Sequence, residues 1–123
     1  MANILIADDE DSVRAVGKRM LEKIGFTVLS AADGRQALEV FNAHSDEIIC
    51  VLLDLTMPHL NGEEAFREMR HIRKNIKVII TSGYNENDAT QRFIGKGLAG
   101  FIQKPYSFST LTEKMREVLN KDG

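Results

Sequence analysis

A few widely separated side chains carry the chemistry legible in this sequence. Asp8 and Asp9 open an acidic run, "DDED", that extends to Asp11. Asp54 closes the apolar run "IICVLLD", Thr81 and Ser82 follow "KVII", and Lys104 stands just before Pro105. Two unit charges about 4 Å apart repel by about 4 kcal/mol at an effective dielectric near 20. Asp8, Asp9 and Asp54 in one cleft would therefore share a proton or bind a cation. A small hard dication suits them. Mg2+ typically takes one or two carboxylates, keeps several waters and shares the rest of its shell with a phosphate. The acids read as a Mg2+ site awaiting a phosphoryl group. Lys104 could reach across to neutralise Asp54, and Thr81 or Ser82 could donate a hydrogen bond to a phosphoryl oxygen.

Each of these residues also has a plainer reading. Acids after a strand are often solvated loop residues at a helix N-terminus, where the dipole favours them. That reading suits Glu10 and Asp11, with Asp11 or Ser12 capping the first helix. For Asp8 and Asp9 the two readings balance. Asp54 tips them, because a carboxylate after six apolar residues costs several kcal/mol unless paired or solvated at the sheet edge. Lys104, Thr81 and Ser82 alone could be ordinary polar residues at strand ends. His44, His59 and His71 show no metal-ligand spacing and read as surface residues.

The chemistry needs a frame that gathers these positions. Five short apolar runs, Ile4 to Ala7, Phe26 to Ala31, Ile48 to Asp54, Lys77 to Thr81 and Gly100 to Gln103, lack polar alternation and suit strands covered on both faces. Helical stripes separate them. Val13, Val16, Met20, Leu21 and Ile24 share one face, with Gly25 where a C-terminal cap belongs. Ala37, Leu38 and Phe41 form a second stripe. Ala65, Phe66, Met69 and Ile72 form a third, starting after Gly62, and Leu111, Met115, Val118 and Leu119 form the last. The segment from Asn85 to Ile94 has only Ala89, Phe93 and Ile94 to bury, so it is expected to be the least firmly docked helix. Five β/α repeats make a parallel sheet with helices on both faces, and such sheets gather chemistry at the carboxyl ends of their strands. Asp8, Asp9, Asp54, Thr81, Ser82 and Lys104 all fall at such ends.

Composition sets the bounds. The 123 residues suit one domain, 1–123. Sixteen basic side chains against eighteen acidic ones give a net charge of −2, which offers no basic excess for direct nucleic-acid binding. The single Cys50 cannot form an internal disulfide and suggests a reduced, cytoplasmic setting. No apolar stretch approaches a membrane span, and the start "MANILIADDED" is not a secretion signal.

"ADDE", "LLDLTMPHLNG", "IITSGY" and "FIQKPY", in this order and spacing, closely resemble the receiver domain of two-component response regulators. The resemblance runs from about Ile4 to Leu119 and rests above all on Asp54, Met57, Pro58 and Gly62 combined with Lys104 and Pro105. It implies a flavodoxin-like, doubly wound (βα)5 fold with a five-stranded parallel sheet in the order 2-1-3-4-5. It implies that Asp54 is the phosphoacceptor, taking its group from a sensor histidine kinase or a histidine phosphotransfer protein. Asp9 and Asp54 would ligate Mg2+ with the backbone carbonyl of Thr56, and Asp8 would act through water; Mn2+ is a substitute ion. Ser82 matches the switch hydroxyl, with Thr81 pointing the other way; Lys104 would contact the phosphoryl oxygens, and Phe101 matches the switch aromatic. The bond before Pro105 resembles one that is usually cis. Thr56 and Tyr84 would flank the site, with Tyr84 shielding the acyl phosphate from water.

A phosphoryl group adds roughly two negative charges and three acceptor oxygens. Ser82 would be drawn to it, the vacated space would let Phe101 turn in, and an unidentified output partner would read the changed face of the fourth helix, fifth strand and fifth helix. Other classes fit less well. A flavodoxin-like electron carrier needs a phosphate-holding loop where "DDED" would repel the phosphate. A phosphatase using an aspartyl nucleophile wants a second acid where Thr56 stands, so no enzyme with turnover on free substrates is expected. The chain reads either as a stand-alone regulator, with no room after Gly123 for an output domain, or as a receiver cut from a hybrid kinase. "SGY" and "GFIQKPY" lean towards the latter, which would make it a phosphorelay intermediate.

Overall fold

A computed structural model describes residues 3–120; the expected domain limits at 1 and 123 lie outside them. The chain alternates strand and helix: β1 (Asn3–Ala7), α1 (Asp11–Ile24), β2 (Thr27–Ala31), α2 (Gly34–His44), β3 (Ile48–Asp54), α3 (Gly62–Ile72), β4 (Lys77–Ser82), α4 (Glu86–Thr90), β5 (Gly100–Gln103) and α5 (Phe108–Asn120). The strands form one parallel sheet in the order β2-β1-β3-β4-β5. This is the doubly wound flavodoxin-like arrangement expected from the sequence.

Strand residues point alternately to opposite faces, so each apolar run feeds two cores. Leu5, Val51, Leu53, Val78, Ile80 and Phe101 pack with Ala37 and Phe41 of α2, Ala65, Phe66 and Met69 of α3, and Ala89. Ile4, Ile6, Cys50, Leu52, Ile79 and Ile102 pack with Leu21 of α1 and Leu111, Met115 and Val118 of α5. That double duty explains why the strands lack polar alternation. Burial pushes the Cys50 thiol up to about 12, holding it neutral.

Several details depart from the sequence expectations. α1 starts at Asp11 behind Glu10 as its N-cap, and no side chain caps it. Neither Asp11 nor Ser12 is the cap: Asp11 lies inside the first turn and pairs with Arg14 at 2.6 Å. Val16 is 45% exposed and Ile72 is 42% exposed, so both apolar stripes are narrower than their periodicity suggested. His59 and His71 are exposed, whereas His44 is half-buried at the end of α2. Gly25 does close α1, at φ 122°, with its N–H donating to Leu21 and Glu22 carbonyls.

The segment expected to be weakly docked is the shortest helix. α4 spans five residues and passes into a single 3-10 turn, Gln91–Phe93. Only Ala89 and Phe93 are buried there, while Ile94 is 76% exposed. Polar contacts supplement this small apolar footprint. Glu63 of α3 faces Arg92 at 3.6 Å, and Arg70 Nη1 donates to the Gly97 carbonyl at 3.4 Å. A segment with so few buried contacts belongs to the low-stability end of a fold.

Candidate functional site

The strand-to-strand hydrogen bonding continues past the ends of the sheet, and this sets the site's geometry. The Asp8 N–H donates to the Ala31 carbonyl at 3.1 Å, Leu55 N–H to the Thr81 carbonyl at 2.9 Å, and Lys104 N–H to the Ser82 carbonyl at 2.7 Å. These bonds tie the end of β1 to β2 and the ends of β3 and β5 to β4. Beyond Asp54 the chain turns back over the sheet edge with Leu55 and Met57 buried. Gly62 N–H donates to the Leu55 carbonyl at 2.8 Å, and Asn61 caps α3 in a reciprocal box with Glu64. A Cβ on Gly62 would lie 2.5 Å from the Asp54 carbonyl oxygen, so this approach requires glycine.

Asp8, Asp9 and Asp54 meet at the resulting mouth, with one carboxylate oxygen of each lying within 4.8 Å of the others. Asp8 and Asp54 are each 3% exposed, while Asp9 is exposed. Lys104 Nζ stands 3.2 Å from Asp8 Oδ2, 3.4 Å from Asp54 Oδ1 and 3.5 Å from Glu10 Oε1. One ammonium therefore faces three carboxylates, with Asp9 close by Asp8 and Asp54. Burial, reinforced by the negative charge of Asp8, pushes the Asp54 carboxyl up from 3.8 to about 7, against the opposing pull of Lys104. Burial also draws Lys104 down, but Asp54 and Asp8 outweigh it and its pKa is raised. The site holds excess negative charge, all of it on hard oxygens. That donor set fits a small dication.

The remaining residues divide between the cavity and the core. An open cavity of about 730 Å3 reaches from Asp9, Asp54 and Lys104 past Ser82 and Tyr84 to the α1 side chains Val13 and Val16. Thr56 lines it too, exposed, with its N–H 3.4 Å from Asp54 Oδ1. Ser82 lines the cavity and Thr81 does not; Ser82 Oγ accepts from the Tyr84 N–H at 3.0 Å. Tyr84 is 64% exposed at the rim. The Lys104–Pro105 peptide bond is cis. Phe101 lies outside this set. Its ring is already buried with Ala89 and Phe93, so the expected inward turn of Phe101 is not open to it from this conformation.

Sequence reasoning missed three participants. Glu10, read as a solvated acid, reaches Lys104. Arg14 Nη1 donates to the Asp8 carbonyl at 2.7 Å and braces the turn after β1. Tyr106 lies along the cavity wall, where Gly17 leaves room for its hydroxyl, and burial with Asp8 raises its pKa to about 12. Only the "KPY" triplet hinted at Tyr106; nothing periodic marks the other two.

Comparison with known proteins gives the family and the fold. Residues 4–116 match the family model of the response regulator receiver domain. The chain is 37% identical over 120 residues to the sensor kinase CckA of Brucella abortus, covering 98% of this chain but 13% of that protein. It is 33% identical to the chemotaxis protein CheY of Bacillus subtilis, covering 95% of this chain and 97% of CheY. A crystal structure of the CheX-CheY-BeF3-Mg2+ complex from Borrelia burgdorferi superposes with a TM-score of 0.91 at 28% identity, over 98% of this chain and 90% of that one.

Proposed function

The chain belongs to the response regulator receiver domain family, and we propose from that premise that it accepts a phosphoryl group on Asp54 from a histidine of a partner protein. The observation that carries this is the buried Asp54 carboxylate, raised towards neutrality, beside two further acids and one lysine at an open cavity. In its ionised form, which a bound cation beside it would favour, the Asp54 carboxylate is a ready nucleophile. An Asp54 oxygen attacks phosphorus, the O–P bond forms, and the P–N bond to the donor's imidazole breaks with its electron pair leaving on nitrogen. No histidine of this chain takes part.

Asp9, Asp54 and the Thr56 carbonyl would hold Mg2+, with Asp8 acting through water, and the ion would offset the charge gathering on the phosphoryl group. The Borrelia CheY complex holds Mg2+ and BeF3, which supports the choice of ion. Lys104 neutralises a phosphoryl oxygen by exchanging its carboxylate partners for it. Ser82, whose oxygen now accepts from the Tyr84 N–H, has its O–H to donate to another. Drawing Ser82 inward moves the loop before α4, the element with the smallest apolar anchor, and so changes the α4, β5 and α5 face presented to an output partner. Tyr84 at the rim shields the acyl phosphate from water.

The test is incubation with acetyl phosphate and Mg2+, followed by intact mass. One phosphoryl adduct is expected on the wild type and none on Asp54→Asn; an adduct on Asp54→Asn would overturn the assignment. A second reading, that of a phosphorelay intermediate within a hybrid kinase, is favoured by the identity to a sensor kinase. It calls for onward transfer from Asp54 to a phosphotransfer protein's histidine.

A further inference from the structure

Glu10 is the feature of the site that the proposed chemistry leaves unused. As the N-cap of α1 it could turn its carboxylate back to the helix N-terminus, but it makes no cap bond. Its side chain extends across the cavity mouth instead, with Oε1 3.5 Å from Lys104 Nζ. The backbone is arranged for that. The Glu10 N–H donates to Asp8 Oδ1 at 2.9 Å, and the next acid, Asp11, is drawn away by Arg14. Lys104 is largely buried, its side chain 14% exposed, whereas that of Glu10 is 61% exposed. The solvent side of the ammonium is thus covered by Glu10, and its inner side by Asp8 and Asp54.

We propose that Glu10 is a positioning residue acting through Lys104: a movable counter-charge that holds the ammonium at the mouth until an incoming phosphoryl group displaces it. The inference rests on the phosphoacceptor reading above. Glu10 then slows uptake in two linked ways. It occupies a cation that the phosphoryl oxygens need, and it sets a like charge beside an approaching dianion. Its exposure lets it swing away once Lys104 has a better partner.

The experiment compares second-order rates of adduct formation from acetyl phosphate with saturating Mg2+, read by intact mass, for wild type, Glu10→Gln and Glu10→Asp. Glu10→Gln is expected to be faster by about three- to tenfold at low ionic strength, the effect of one partly solvated charge near a dianion. The advantage should shrink in high salt, where the Debye length falls to ~3 Å at ~1 M; a purely structural role would not show this. Glu10→Asp keeps the charge but loses the reach to Lys104, and is expected to regain at least half of the gain on a logarithmic scale. Unchanged or slower uptake by Glu10→Gln overturns the inference. So does an Asp variant indistinguishable from wild type beside a faster Gln variant, which would reduce the effect to net charge. Melting temperatures of the variants verify that all are folded. A wild type that takes up no phosphoryl group overturns the phosphoacceptor reading, and this inference with it.

Discussion

Asp54→Asn should make the metal-free protein more stable at alkaline pH, although it removes a side chain from the centre of the site. Asp54 is 3% exposed, and its carboxyl is raised from 3.8 to about 7, first by burial and then by Asp8. The native state therefore binds a proton more tightly than the unfolded chain across that interval. Its stabilising contribution is complete below 3.8 and is lost as pH rises through about 7. The displacement corresponds to about 4 kcal/mol. Asparagine keeps the shape, stays neutral and leaves Lys104 its Asp8 partner at 3.2 Å. Some of the cost is already relieved by local relaxation, so a gain of about 1–3 kcal/mol at pH 8 in EDTA is expected. For a chain of this size that is about 4–12 °C in melting temperature. The assay is a thermal melt by circular dichroism at pH 8 and pH 5, with EDTA or with Mg2+. At pH 5 the native Asp54 is already protonated but the unfolded carboxyl is still largely ionised, so somewhat more than half of the difference should close, and the rest only as pH falls below 3.8. Mg2+ at pH 8 should stabilise the wild type more than Asp54→Asn, because the ion relieves the same repulsion. A variant no more stable than wild type in EDTA at pH 8, or an advantage undiminished at pH 5, would refute the reasoning.

Two further outcomes follow from the site's construction. Tyr84→Ala should shorten the lifetime of the acyl phosphate several-fold if the ring, 64% exposed and lining the same cavity as Asp54, shields the phosphoryl group; an unchanged or longer half-life by intact mass would remove it from that role. Gly62→Ala should destabilise the fold by about 1–3 kcal/mol, because the new Cβ meets backbone atoms, the Asp54 carbonyl oxygen at 2.5 Å and the Leu55 Cα at 2.7 Å. Gly83→Ala, with nothing within 4 Å of its added Cβ, is the control and should melt close to wild type.

The architecture was legible because its signals are local. Short apolar runs without alternation suit strands covered on both faces, and their regular alternation with helical stripes favours parallel connections. The residues of chemical interest were legible for a related reason. Polar groups that end apolar runs sit at strand ends, and in a parallel sheet those ends share one edge. Asp54 after "IICVLL" is the clearest case: no apolar environment would tolerate it, so it had to face the mouth. α4 was legible as the weak element from its few apolar residues.

What the sequence could not decide depends on the third dimension. Whether Glu10 was a solvated acid or a partner of Lys104 turned on the path of one loop, set by the Asp8 and Arg14 hydrogen bonds, and no periodicity encodes that path. Val16 and Ile72 lie on apolar stripes yet stay exposed, because burial depends on where a neighbouring element ends as well as on which way a side chain points. Phe101 was assigned its place from the spacing of a motif, but its inward orientation came from the packing of Ala89 and Phe93. Periodicity and residue type specify which groups must be near the edge of the sheet. Only the packed chain decides the few ångströms between them, and those distances determine which carboxylate the single lysine holds.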